Sequence, residues 1–64
     1  MTDMLLDEIN IGEWVTIRGH EDKTMRIKDV RTEDGMVVCE HMDGLLSRHC
    51  VRDILYISKE YYKP

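Results

Sequence analysis

Sixty-four residues with a formal net charge of −4 at pH 7 make one domain with a thin core, because a chain this short buries only about 60% of the surface it exposes when unfolded. The acidic balance argues against indiscriminate phosphate binding, which needs many cations along the partner's backbone, while leaving room for a local basic patch. No apolar run approaches the ~20 residues of a membrane helix.

The opening "MTDMLLDEIN" lacks the basic segment and long apolar stretch of a secretory signal, so a cytoplasmic protein is expected, with no membrane partner. Thiols stay reduced there, which leaves Cys39 and Cys50 as free cysteines. Within this opening, Thr2 and Asp3 suit the start of a helix, and Met4, Leu5 and Ile9 follow at near-helical spacing. The first 11 residues therefore read as a short helical or irregular extension.

After Gly12, "EWVTIR" alternates with period two, placing Val15 and Ile17 on one face and Trp14, Thr16 and Arg18 on the other. "GHEDK" reads as a polar loop, and "TMRIKDVR" as a strand with Met25 and Ile27 on one side and Arg26 and Lys28 on the other. Val30 falls out of phase, which a bulge near Asp29 corrects. "TEDG" is a turn, "MVVCEHM" a strand, Asp43-Gly44 a hairpin signal and "LLSRHCV" the returning strand. "RDILYIS" reads as a short turn feeding a last strand, and "KEYYKP" as a tail that frays. Five short strands in about fifty residues are best protected from edge pairing by closing on themselves. The fold expected over residues 12–58 is an all-β, five-stranded SH3-like barrel, with residues 59–64 as tail. Its interior is expected to hold Val15, Ile17, Ile27, Val37 and Cys39.

A two-residue turn at Asp43-Gly44 sets Cys39 opposite Arg48 and Val37 opposite Cys50. Cys39, Cys50 and His41 then share one face, and His49 lies on the other with Val38, Glu40 and Ser47. The two cysteines become diagonal neighbours roughly 7–8 Å apart. A structural zinc site usually draws on Cys-x-x-Cys knuckles, and neither Cys39-x-His41 nor His49-Cys50 has that spacing. No metal or other cofactor is expected, and Cys39 reads as a small buried hydrophobe.

With the strands placed, "IGEWVTIRG", "MRIKDV" and "GMVVCEHMDG" together resemble the YodC-like family of small uncharacterised SH3-like barrel proteins. In that family a Gly-Asp-Val-Val start, a Met-Thr-Val strand and a Gly-x-Val-x-Cys-x-Trp-Phe-x-Gly hairpin recur. Gly12, Val15, Met25, Gly35, Val37, Cys39 and Gly44 match over about residues 11–57. The chain departs from the family at His41 and Met42, where the aromatic pair stands, and at His20-Glu21-Asp22-Lys23, where Gly-Gly-Pro is usual. The resemblance implies a fold and no known activity.

Three function classes remain. Ser47 and His49 sit at i and i+2 like a nucleophile and base, yet such pairs recur by chance on polar strand faces and a small barrel's interior is filled by its own side chains, so no enzyme is expected. Trp14 with Arg18, Arg26, Lys28 and Arg31 forms an aromatic among cations that could stack a base and hold phosphates; a solvated basic face with its stems packed on Trp14 is the plainer interpretation. A protein-binding adaptor or regulator tolerates the acidic charge, the small size and the lack of catalytic groups together, with Trp14, Tyr56, Tyr61 and Tyr62 as anchors. Another protein is therefore the expected partner, nucleic acid the alternative, and self-association along strand edges would give a homodimer.

Overall fold

The computed structural model describes residues 9–63. The strands are β1 (Trp14–Ile17), β2 (His20–Arg31), β3 (Met36–Glu40), β4 (Leu46–Cys50) and β5 (Ile54–Ser58), with a 3-10 turn at Val51–Asp53 before the last. They form one sheet in the order β4-β3-β2-β1-β5, and every neighbouring pair is antiparallel. Of the helical or irregular extension expected over residues 1–11, residues 1–8 lie outside the described ones; Ile9, Asn10 and Ile11 are not helical, and Ile9 is buried in the core.

Residues directly opposite one another share a face, so the register shows how the core is assembled. Val15 lies opposite Met25 on β2 and Ile57 on β5, and Ile27 lies opposite Cys39. The pairing slips between Ile27 and Asp29, after which Val30 faces Val37. This is the bulge that the out-of-phase Val30 requires, and it returns that side chain to the apolar side, packed against the core. Val15, Ile17, Met25, Ile27, Val37 and Cys39 are wholly buried.

β2 starts earlier than its sequence suggests. Ile17 pairs with His20, so the reversal takes only Arg18 and Gly19, with Gly19 at φ +87°, a conformation open to glycine at no steric cost. "HEDK" is consequently strand rather than loop. Its polar composition fits because Glu21, Asp22 and Lys23 are exposed.

The closed barrel is not formed. β4 and β5 are the two edges of an open sheet, and no ladder joins them among the described residues. The chain crosses the gap in the 3-10 turn, which sets Val51 and Ile54 against the core at 8% exposure each. Backbone hydrogen bonds fix this plug to the sheet: Val51 N–H donates to the Gly35 carbonyl at 2.9 Å, and Arg18 N–H to the Asp53 carbonyl at 2.8 Å. The 3-10 turn leads the chain away from β4 to the free edge of β1, so Val51 and Ile54, rather than a β4–β5 ladder, cover the open side.

The tail does not fray over its described length. Tyr61 stands edge-on to Trp14 with ring centroids 5.1 Å apart, and Tyr62 stands edge-on to Tyr56 at 4.9 Å. The Tyr62 hydroxyl shares a short hydrogen bond with the Thr16 hydroxyl, and the Thr24 hydroxyl donates to the Tyr62 carbonyl at 2.8 Å. The tail thus lies back across β1 and β2.

Candidate functional site: the outer face, the β3–β4 hairpin and a histidine cluster

Across the outer face, one row of opposed residues runs Ser58, Trp14, Arg26, Glu40, Leu46. Arg26 lies over the Trp14 ring, its Cζ 5.4 Å from the centroid, and its Nε donates to the Gly12 carbonyl at 3.3 Å. Of the five residues expected to form a basic surface, only these two are brought together. Lys28 reaches Glu40 at 3.6 Å, Arg18 reaches Asp53 at 3.7 Å and Arg31 reaches Asp34 at 3.9 Å. Pairs this exposed contribute little to stability. Their electrostatic effect is local: a carboxylate stands beside each of these cations, and Glu40 also flanks Arg26.

The β3–β4 connection departs from the sequence reading by one residue. Val37 faces His49, Val38 faces Arg48 and Cys39 faces Ser47. The loop has three residues, Met42–Gly44: Gly44 N–H donates to the His41 carbonyl at 2.9 Å, and His41 N–H to the Leu45 carbonyl at 2.7 Å. Gly44 has φ +92°, which matches a type I turn followed by a glycine bulge, the usual three-residue hairpin. The Asp43 carboxylate caps it by accepting from Leu45 N–H at 3.2 Å.

That one-residue shift turns every β4 side chain over. Leu46, Arg48 and Cys50 take the outer face, and Ser47 and His49 turn inward beside Cys39 and Val37. The cysteines are therefore not diagonal neighbours; both are free, Cys39 buried and Cys50 half-buried. Burial pushes the Cys39 thiol up to about 11, so it is an inert, protonated group at neutral pH.

Inside the open end between β4 and the start of β2, the turned strand assembles a cluster that sequence reasoning missed. Ser47 Oγ lies 2.7 Å from His41 Nε2 and 2.7 Å from His49 Nε2, with the Met25 sulfur at 4.0 Å. His20 stands edge-on to His49 at 5.3 Å and to His41 at 6.4 Å between ring centroids. Burial first, and then the neighbouring His20 and His41, hold His49 below the ordinary histidine range, while Asp53 acts in the opposite sense. The signal that locates the cluster is the loop length: only a three-residue turn puts His49 on the same side as Val37. Among the described residues, no group of three or more His, Cys, Asp or Glu side chains is arranged to hold a metal ion.

The same hairpin exposes its apolar residues. Met42, Leu45 and Leu46 stand 70%, 66% and 60% exposed. Beside them a groove of about 370 Å³ runs between the hairpin and the tail, bordered by Met42, Asp43, Tyr61 and Lys63, with Thr24 and Met25 among its lining. No helix among the described residues is long and apolar enough to cross a membrane. Comparison of the chain with family models, curated proteins and solved structures finds no match.

Proposed function

We propose that this chain is a small non-enzymatic binding module of SH3-like type, related in architecture to the YodC-like proteins, that docks on another protein of a cytoplasmic assembly through its β3–β4 hairpin. The observation that carries this reading is the set of exposed apolar residues at one hairpin end: Met42, Leu45 and Leu46 beside the groove under Tyr61. Large apolar side chains on a turn lower solubility unless something covers them, and a rigid hairpin presents them at little entropic cost. The strand order and the turn before β5 support the SH3-like assignment.

Nucleic acid is the second reading, and the observation that favours it is Arg26 lying over Trp14, a combination suited to a stacked base. Against it stands the carboxylate beside each of the other three cations, which offsets the field a phosphate backbone would sense.

Immobilised protein exposed to a cytosolic extract, with and without nuclease, distinguishes the two. Proteins retained after nuclease and lost when Met42 and Leu45 are both changed to glutamate agree with hairpin docking. Retention that disappears with nuclease and in Arg26→Glu transfers the assignment to nucleic acid, and retention indifferent to the hairpin double variant removes the proposed surface.

A further inference from the structure

We propose that His20, His41 and His49, gathered around Ser47, form a proton-sensitive latch that holds the β4 edge against the start of β2 near neutral pH and releases it in mild acid. The placement is the first argument. β4 is bonded along one side only, to β3, and its inner face meets the β1–β2 hairpin through side chains rather than a ladder. Those side chains are Ser47 and His49 from β4, His41 from the loop before it and His20 from the first position of β2.

Proton counting is the second argument. Ser47 has one hydroxyl proton and an Nε2 atom on either side of it at 2.7 Å. In the neutral cluster the hydroxyl proton can go to one Nε2 while the other ring's Nε2–H donates to Ser47 Oγ, an arrangement in which the two rings hold opposite tautomers. Once both rings are protonated neither can accept, and the hydroxyl proton is left facing the Met25 sulfur at 4.0 Å, a weak acceptor. Three imidazolium groups would also share a half-buried space in which like charges repel.

The charged surroundings do not cancel this. From the 3-10 turn Asp53 faces His49 and favours its charged form, but Asp53 also pairs with Arg18 from the β1–β2 turn. From β2, Glu21 lies within the field of both Arg18 and His20. On the groove side Asp22, Lys23, Asp43 and Lys63 accompany His41, two of each sign. Cys39, the buried partner of Ser47 on β3, stays a neutral thiol.

The direction with pH follows. His49 is held below its ordinary range in the fold, so at pH values between its folded and unfolded midpoints the unfolded or opened chain binds more protons than the closed one. The latch is at full strength above the unfolded histidine value of about 6.5, weakens as pH falls through that value, and levels off below the folded midpoint.

The test is amide hydrogen exchange at about pH 7.5 and about pH 5.5, corrected for intrinsic rates, on the whole chain and on His49→Gln and His20→Gln, with ring-proton titration of the remaining histidines. Acidification is expected to lower protection of the β4 amides severalfold relative to those shared by β1 and β2, in the direction that the lowered His49 midpoint sets. His49→Gln should flatten that difference. His20→Gln, at a half-exposed ring and so least disruptive to folding, should raise the His49 midpoint. β4 and β1 amides losing protection in step, β4 amides indifferent to acid, or a His49 midpoint unmoved by His20→Gln would each overturn the latch.

Discussion

Two parts of the same inner face are built from different chemistry. Across β1, β2 and β3 it is apolar throughout and wholly buried: Val15, Ile17, Met25, Ile27, Val37 and Cys39. One strand further, on β4, the residues in the same rows are Ser47 and His49, hydrogen-bonded and half-buried, while the large apolar side chains Leu45 and Leu46 are exposed. The first region holds the molecule together through area removed from water. The second gives up that gain, placing hydrogen-bonded polar groups on the inner side and leaving apolar side chains uncovered at the hairpin.

Substitutions sharpen this contrast, beginning where the loss should be greatest. Ile27→Ala removes a wholly buried side chain and should cost about 2–5 kcal/mol, comparable to the whole stability that a core of this size supplies; urea denaturation should find the variant largely unfolded. Gly44→Ala forces an L side chain into φ +92°, where the left-handed conformation costs about 1–2 kcal/mol, and should lower the urea midpoint while leaving the β1–β2 amides native in chemical shift. Tyr62→Phe deletes the hydroxyl shared with Thr16 and should cost about 1 kcal/mol, with increased exchange confined to the tail and β1. Leu46→Ala, at an exposed position, should stay within about 0.5 kcal/mol while weakening partner retention. A Leu46→Ala loss as large as that of Ile27→Ala would erase the distinction between the two regions.

The thiols provide a chemical version of the same comparison. Cys39 is buried and its thiol is raised to about 11, whereas Cys50 is half-buried on the outer side of β4. Alkylation of the native protein near pH 8 should modify Cys50 alone, and Cys39 should react only once denaturant is added. Because a raised thiol favours the protonated folded form, the fold should also lose stability as pH climbs through the unfolded thiol value of about 8.5 towards 11.

Alternation between apolar and polar residues was enough to locate the strands and the core. Val15, Ile17, Ile27, Val37 and Cys39 are buried as period-two patterning requires, and Val30 alone, by falling out of phase, pointed to the bulge. The start of β2 was hidden because "HEDK" is polar on both sides, and only the Ile17–His20 pairing shows that the strand is already under way. That the sheet stays open could not be read from propensity, since Val51 of the 3-10 turn and Ile54 after it cover the side that a ladder would close. The histidine cluster was lost to a single residue of register: an Asp-Gly pair fits both a two-residue turn and the last two positions of a three-residue turn, and the choice reverses β4. Of the basic surface, Trp14 and Arg26 were legible as cross-strand neighbours. The partners of Arg18 and Lys28 were not, because Asp53 and Glu40 reach them from other segments of the fold, whereas Asp34 meets Arg31 within the adjoining turn.

The register of β3 against β4 underlies the exposed hairpin, the separated cysteines and the inward histidine alike, and proton–proton contacts measured by NMR read it directly. His41 and Leu45 are joined by a hydrogen bond. Counting back in alternation, Glu40–Leu46 and Val38–Arg48 are the non-bonded pairs, with Cα atoms about 4.5 Å apart. Strong Hα–Hα contacts are expected between Glu40 and Leu46 and between Val38 and Arg48. Contacts joining Cys39 to Arg48 or Val37 to Cys50 would instead mean a two-residue turn, with His49 facing outward.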